Sequence, residues 1–322
     1  MTATVPGRLP LDKKSKKQLA RGERNGAATR AKKKLTSRGA TIAALIIALL
    51  WTTPTFGLFI SSIRPPEEIL RNGWWTIFQN PGFTLNNYTE VLAAGNNTLD
   101  LAGAFINSIA ITVPATVFPL VVASLAAYAF AWIDFPGRNW MFIGVFALQI
   151  VPLQMALVPL LSLFSRGFSI GDVELFSSLS ASNSYSQVWI AHTIFALPLA
   201  IFLLHNFVSA IPGELIEAAR VDGAGHGQTF FRIVLPLTMP AIASFAIFQF
   251  LWVWNDLLVA LVFADGRVAP MTKLLAEITG SRGQDWNLLT AGAFISILVP
   301  LIVFFALQRY FVRGLLAGST KG

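Results

Sequence analysis

Residues 214–240 read ELIEAARVDGAGHGQTFFRIVLPLTMP. The stretch is polar at its start, rich in glycine at its centre and apolar at its end. Long apolar runs lie on both sides. The pattern predicts a short helix, a glycine hinge and a proline-marked return to an apolar phase. A connection that structured is expected to dock a partner, not merely to join two helices.

The surrounding composition sets the solvent. Of 322 residues, 54% are hydrophobic and 12% charged, with a mean hydropathy of +0.62. A soluble domain carries about 25% charged residues. Half that value, with long apolar runs, indicates a polytopic membrane protein. Cysteine is absent, which excludes a disulfide framework and a thiolate metal site.

Six apolar stretches have the length of a membrane-crossing helix, roughly 17 to 25 residues. They cover about 40–63, 105–131, 139–164, 187–208, 237–263 and 288–311. Six crossings put both termini on one side, and basic residues select the side. Twelve of the 24 Lys and Arg precede residue 40, among them Lys13, Lys14, Lys16, Lys17 and Lys32 to Lys34. Arg138, Arg220, Arg232, Arg309, Arg313 and Lys321 fall on the same side as this tail. The other side holds Arg64, Arg71, Arg166, Arg267, Lys273 and Arg282. Its loops also carry Glu67, Glu68, Glu90, Asp100, Asp172, Glu174, Asp265, Glu277 and Asp285. Both termini and the 209–236 loop are therefore expected in the cytoplasm. Residues 1–39 read as a disordered basic cytoplasmic tail that orients the chain and touches anionic lipid. A nucleic-acid arm is disfavoured, because the tail runs straight into a span. A cleaved signal is disfavoured too, since the apolar run is too long and no small-residue cleavage site follows.

Pro54, Pro114, Pro119, Pro152, Pro159, Pro198 and Pro300 interrupt the spans. Each removes a backbone donor and favours a kink. So many breaks suit a moving pathway better than a static bundle. Ala123, Ala127 and Ala131 form a small-residue stripe for close helix contact. The segment 64–104 reads as interfacial, with Trp74 and Trp75 at headgroup depth.

Within the loop, Ser209 is a plausible N-cap and Pro212 suits a first turn. Glu214 and Glu217 sit near the positive helix end. Leu215, Ala218 and Ala219 share a face by their spacing, and the small alanines allow a close approach to a partner surface. Gly223 can adopt the left-handed conformation that ends a helix. Gly225 and Gly227 keep the connection mobile. Pro236 and Pro240 mark the re-entry.

The order Glu217-Ala218-Ala219, three residues, Gly223, nine residues, Ile233, one residue, Leu235-Pro236 resembles the EAA signature of ATP-binding-cassette importer permeases. The wider segment is similar to the sugar-importer branch. The end, QRYFVRGLLAGSTKG, resembles the maltose-type permease subunit that lacks a large extra outer domain. The resemblance covers about 40–315, and the long basic tail departs from it.

This resemblance implies an all-α, six-helix type I importer permease fold over 40–313 and a cytoplasmic tail over 314–322. It implies that Glu214, Leu215, Glu217, Ala218, Ala219, Asp222, Gly223, Leu235 and Pro236 couple the chain to an ATPase. It implies further partners: a second permease subunit, two ATPase subunits and an extracytoplasmic sugar-binding protein. Its setting would be the inner (plasma) membrane of a prokaryote. The C-terminal tail would also reach the ATPase pair. ATP and Mg would belong to those subunits, and this chain would hold no cofactor.

The residues agree with that division of labour. No GxxxxGK[ST] occurs, and GSTKG at 318–322 has the wrong spacing for a phosphate-cradling loop. His192, His205 and His226 lack metal-ligand spacing. No nucleophilic triad is suggested, so enzyme activity is not expected.

Asp256 stands out inside the fifth apolar stretch, in FQFLWVWNDLLVAL. An Asp at a helix centre costs roughly 2.5–3.5 kcal/mol on insertion scales, so it is expected to face an interior or a cavity. Gln249, Trp252, Trp254 and Asn255 surround it. Gln149, Gln154 and Asn107 could line the same space. The residues leave two readings open: contact with a sugar, or helix-to-helix bonding with interfacial Trp anchors. A self-sufficient secondary transporter would need buried coupling charges in several spans, and only Asp256 fits. An importer of a non-sugar solute stays open as the alternative.

Overall fold

The computed structural model describes residues 38–92, 100–179, 184–280 and 285–319. The basic tail up to residue 37 and residues 320–322 lie outside them. Contacts divide the chain between Leu58 and Phe59 into two compact units.

The first helix, α1 (Arg38–Ser62), is 25 residues long, or about 37 Å at 1.5 Å per residue. Up to Leu58 it exposes apolar side chains such as Ile42, Leu45, Leu49 and Trp51. A helix apolar on all sides suits hydrocarbon, not water.

The second unit opens with a compact polar cap. It comprises α2 (Pro66–Arg71), a 3-10 turn over Trp74–Phe78 and α3 (Asn86–Leu92). Arg64 is buried at its centre. Its guanidinium donates to Gly73 O at 2.9 Å, Thr76 Oγ1 at 3.0 Å and Glu68 Oε2 at 3.0 Å. The Asn87 amide donates to Ser62 O and Arg64 O. Pairing with Glu68 and bonding of both terminal nitrogens offset the cost of burying this guanidinium, while its Nε is buried without a partner among the described residues. The segment is thus more built than a plain interfacial stretch, although Trp75 does remain exposed.

Next come α4 (Leu101–Trp132), α5 (Arg138–Ala147), α6 (Leu153–Arg166) and α7 (Ser186–Val208). Helices α4 and α7 form the most extensive helix pair. Ala123, Ala127 and Ala200 are fully buried in one cluster with Leu120, Ile201 and Leu204. Ala115 and Ala191 are fully buried in a second cluster. Small side chains let the backbones approach closely, as the alanine stripe predicted. Ala131, its last member, is only partly buried.

The remaining helices are α8 (Gly213–Val221), α9 (His226–Thr229), α10 (Leu235–Trp254), α11 (Leu258–Phe263), α12 (Met271–Gly280) and α13 (Trp286–Ser319). A π turn over Phe230–Val234 joins α9 to α10. These three pieces form one 29-residue helix, His226–Trp254. Helix α10 packs against α4, α7 and α13.

Three expectations about the spans change. The third is two helices, Arg138–Ile150 and Leu153–Arg166, bent by 105°. Pro152 causes the break: the residue before a proline avoids the helical region, and Val151 is extended at φ −71 and ψ 119. The fifth begins earlier than 237 and ends at Trp254, not 263. Among the described residues, five helices are long and apolar enough to cross a membrane, or six if the bent pair counts as one span. Lastly, an antiparallel hairpin, β1 (Phe168–Ile170) with β2 (Val173–Phe176), interrupts the otherwise helical chain. Its turn uses Gly171 at φ +59.

Candidate functional site

Helix α7 ends at Val208, and Ser209 is its C-cap, with its N–H on His205 O at 2.8 Å. Ser209 therefore does not start the loop helix. Pro212, extended at φ −57 and ψ 131, precedes the first residue of α8. Its fixed φ and lack of an N–H suit that position.

The far end of α8 is capped in a Schellman arrangement. Gly223 N–H donates to Arg220 O at 3.0 Å, and Ala224 N–H to Ala219 O at 2.9 Å. The motif requires a left-handed residue, and Gly223 has φ +81. A nine-residue helix is marginal in isolation; this one is terminated sharply and seated by burial.

The seating departs from the expected partner-facing side only at Ala219. Ile216 and Ala219 turn into the protein, whereas Leu215 and Ala218 are exposed. The periodicity was compatible with either face, because 216 and 219 are also three apart. Glu214, Glu217, Asp222 and Gly223 share the open side. Val221 is 87% exposed, and sequence reasoning missed it. An apolar side chain beside the glycine cap was the available signal. Leu235 is partly buried and Pro236 exposed where α10 begins.

The loop is tied to the end of α4. Arg220 Nη2 donates to Trp132 O at 3.2 Å. The Trp132 indole N–H donates to Val208 O at 3.2 Å. The Tyr128 hydroxyl lies 3.0 Å from His226 Nδ1.

The eight polar and aromatic residues expected along a pathway do not converge. Gln249 is buried and its amide donates to Ala115 O at 3.3 Å, a helix-to-helix bond. Trp254 is buried, with its indole N–H on Ser296 O at 3.1 Å. Trp252 is exposed. Gln149 and Gln154 are exposed on either side of the Pro152 break. Asn107 donates to Arg267 O and Ala269 O and accepts from the Tyr185 hydroxyl. It also faces a cleft of about 680 Å³ lined by Asp100, Asp265, Arg267, Lys273 and Glu277. Asn255 borders a different cleft, about 480 Å³, with Leu251, Ser296 and Pro300.

Asp256 is not at a helix centre. It follows the end of α10, and its Oδ2 accepts from the N–H of Val259 at 3.0 Å and of Ala260 at 3.2 Å. The carboxylate thereby satisfies the first turn of α11. Its backbone carbonyl accepts from the Thr272 hydroxyl at 2.6 Å. His192 Nε2 lies 3.8 Å from Oδ2. The void beside the pair is about 10 Å³, room for one water at most and far too small for a sugar.

In the 680 Å³ cleft, Lys273 Nζ donates to Ala264 O at 2.9 Å and to Asp265 Oδ1 at 3.1 Å. The lysine bond, helped by the Gly266 N–H, holds the Asp265 carboxyl below its ordinary value. The cleft lies at the end of α4 remote from the α8 loop, since Asp100 caps the start of that helix.

Comparison with known proteins settles the family. Residues 91–316 match the family described as "Binding-protein-dependent transport system inner membrane component". The chain belongs to this family. Like its other members, it is a membrane component of a transport system. Among its relatives is the osmoprotective compounds uptake permease protein GgtD of Synechocystis sp., 54% identical over 87% of this chain and 91% of that protein. Another is the alpha-glucoside transport system permease protein AglG of Rhizobium meliloti, 39% identical over 87% of this chain and 96% of that protein. A solved bacterial ABC transporter that imports the acidic polysaccharide alginate shares the fold, with a TM-score of 0.62 at 20% identity over 85% of this chain and 98% of that one. The signature loop and the helices packed on it all lie inside the family match. The chain is thus a multi-pass inner membrane permease with the expected importer fold.

Proposed function

We propose that this chain is one of two permease subunits of an ATP-driven importer for a small glycoside or oligosaccharide. Its partners are a second permease, two ATPase subunits that carry ATP and Mg, and an extracytoplasmic solute-binding protein. The observation that carries the coupling role is the construction of α8. It is short, capped by Gly223, seated by Ile216 and Ala219, and open at Glu217, Ala218 and Val221. Such a helix can enter a cleft on an ATPase and transmit a push without unwinding. Glu214, Leu215 and Asp222 widen the docking face; Ala219 and the partly buried Leu235 hold it against the bundle, and Pro236 marks the return into α10. Closure of the ATPases moves α8, and the spans rock between inward and outward openings. The positive-inside count supports a cytoplasmic loop and cytoplasmic termini. The tail over 314–322 adds a second reach toward the ATPases.

The glycoside assignment is supported by relatives named for alpha-glucosides, arabinooligosaccharides, and melibiose, raffinose and stachyose. The relative named for osmoprotective compounds, at 54% identity, favours a second reading, a compatible solute. Asn107 and Asn255 each border an open cleft, with the Asn107 amide already bonded to Arg267 O, Ala269 O and the Tyr185 hydroxyl.

Glu217→Lys reverses the charge on the open face. In the assembled complex it is expected to abolish uptake and to release the ATPase subunits, while the permease still inserts. Normal uptake would sink the coupling assignment. The solute carried by the co-purifying binding protein, identified by mass spectrometry, separates the glycoside from a non-sugar osmolyte.

A further inference from the structure

The last two turns of α4 hold the α8 loop at three points. Trp132 meets Val208 before α8 and Arg220 in its last turn. Tyr128 meets His226 after it. Tyr128 and Trp132 are four residues apart, so both project from one face of α4. The Tyr128 ring also packs on Phe230, with centroids 5.4 Å apart. Tyr128 itself is buried and His226 exposed.

The alternative routes along the chain are soft. Toward α10, a force on α8 must pass the left-handed Gly223, then Gly225, then the π turn at Phe230–Val234. A π turn is an irregular insertion in the helical ladder and recurs at functional sites. Toward α7 it must pass the non-helical turn at 209–212. The lateral contacts to α4 bypass both. Helix α4 is 32 residues long, about 48 Å. Its far end lines the 680 Å³ cleft through Asp100 and Asn107.

We propose that α4 is the element that takes up the motion of α8, and that Tyr128 and His226 are the positioning residues of this transmission. The inference rests on reading α8 as the coupling helix. It connects the loop directly to the cleft at the opposite end of the bundle.

Tyr128→Phe tests it in the complete complex in liposomes, because the ring packing on Phe230 survives and only the hydroxyl is lost. ATPase subunits are expected to co-purify normally, and ATP hydrolysis stimulated by the loaded binding protein to persist. Solute moved per ATP should fall about two- to tenfold, the scale of one hydrogen bond. His226→Leu should give the same loss, and His226→Asn, which keeps a polar partner, a smaller one. His226 is exposed, so its variants leave the core intact if Tyr128→Phe fails to fold. The double variant Tyr128→Phe with His226→Leu should be no worse than either single change. An unchanged solute-to-ATP ratio in His226→Leu overturns the transmission role, and losses that multiply in the double variant overturn the pairing. Failure of the coupling-helix reading shows separately, as normal ATPase retention and uptake in Glu217→Lys.

Discussion

Asp256 shows how much one side chain's role depends on where a helix stops. Its carboxylate caps α11 and approaches His192. Asp256→Ala removes the cap and should destabilise the protein by about 0.5–2 kcal/mol, the range for such losses. Asp256→Asn keeps an acceptor oxygen and should lie close to wild type. Thermal unfolding of the purified complex checks both. If both variants keep full stability and lower only apparent solute affinity, the capping account fails. Asp256 could be singled out from its apolar surroundings, but its role could not. No proline or glycine marks the end of α10, so the break at 255–257 is invisible to pattern reading. It is stabilised by the Asp256 cap and by the Thr272 hydroxyl, which is sixteen residues away.

At the scale of elements, the pair α4–α7 sets what the bundle tolerates. Ala123 and Ala127 are completely buried against its core cluster. Ala127→Leu adds volume where no space exists and should cost about 1–3 kcal/mol. A lower unfolding temperature, with less complex recovered after solubilisation, is the expected result; wild-type values would show that the pair is looser than its burial implies. The alanine stripe was legible because four-residue spacing places side chains on one helix face. The bend in the third span was half legible. Pro152 announces a break, but the 105° angle depends on packing against neighbouring helices. The buried face of α8 was not legible. Spacing put Leu215 and Ala218 on the partner-facing side, where they are exposed, but did not show that Ala219 turns with Ile216 against the surface beneath α8.

For the molecule as a whole, orientation is the property most open to direct test. The chain has no cysteine, so a single introduced thiol reports one location. Val221→Cys, at an exposed position on α8, should react with a membrane-impermeant maleimide only after the cytoplasmic side is opened. Val173→Cys, exposed on the hairpin, should react in intact cells. The reverse pattern would overturn the six-crossing topology with cytoplasmic termini. Sequence alone determined the membrane class, the number of apolar stretches and the loop signature, because composition and spacing along a chain are local properties. Tertiary structure decided which face of 214–240 is open, which polar residues are sealed inside, and that the loop is held by Tyr128 and Trp132 from far back in the chain. Those outcomes depend on contacts between residues far apart in the chain, 98 positions for Tyr128 and His226 and 134 for Ala115 and Gln249. Apolar periodicity says which faces are greasy, and only packing says what each face meets.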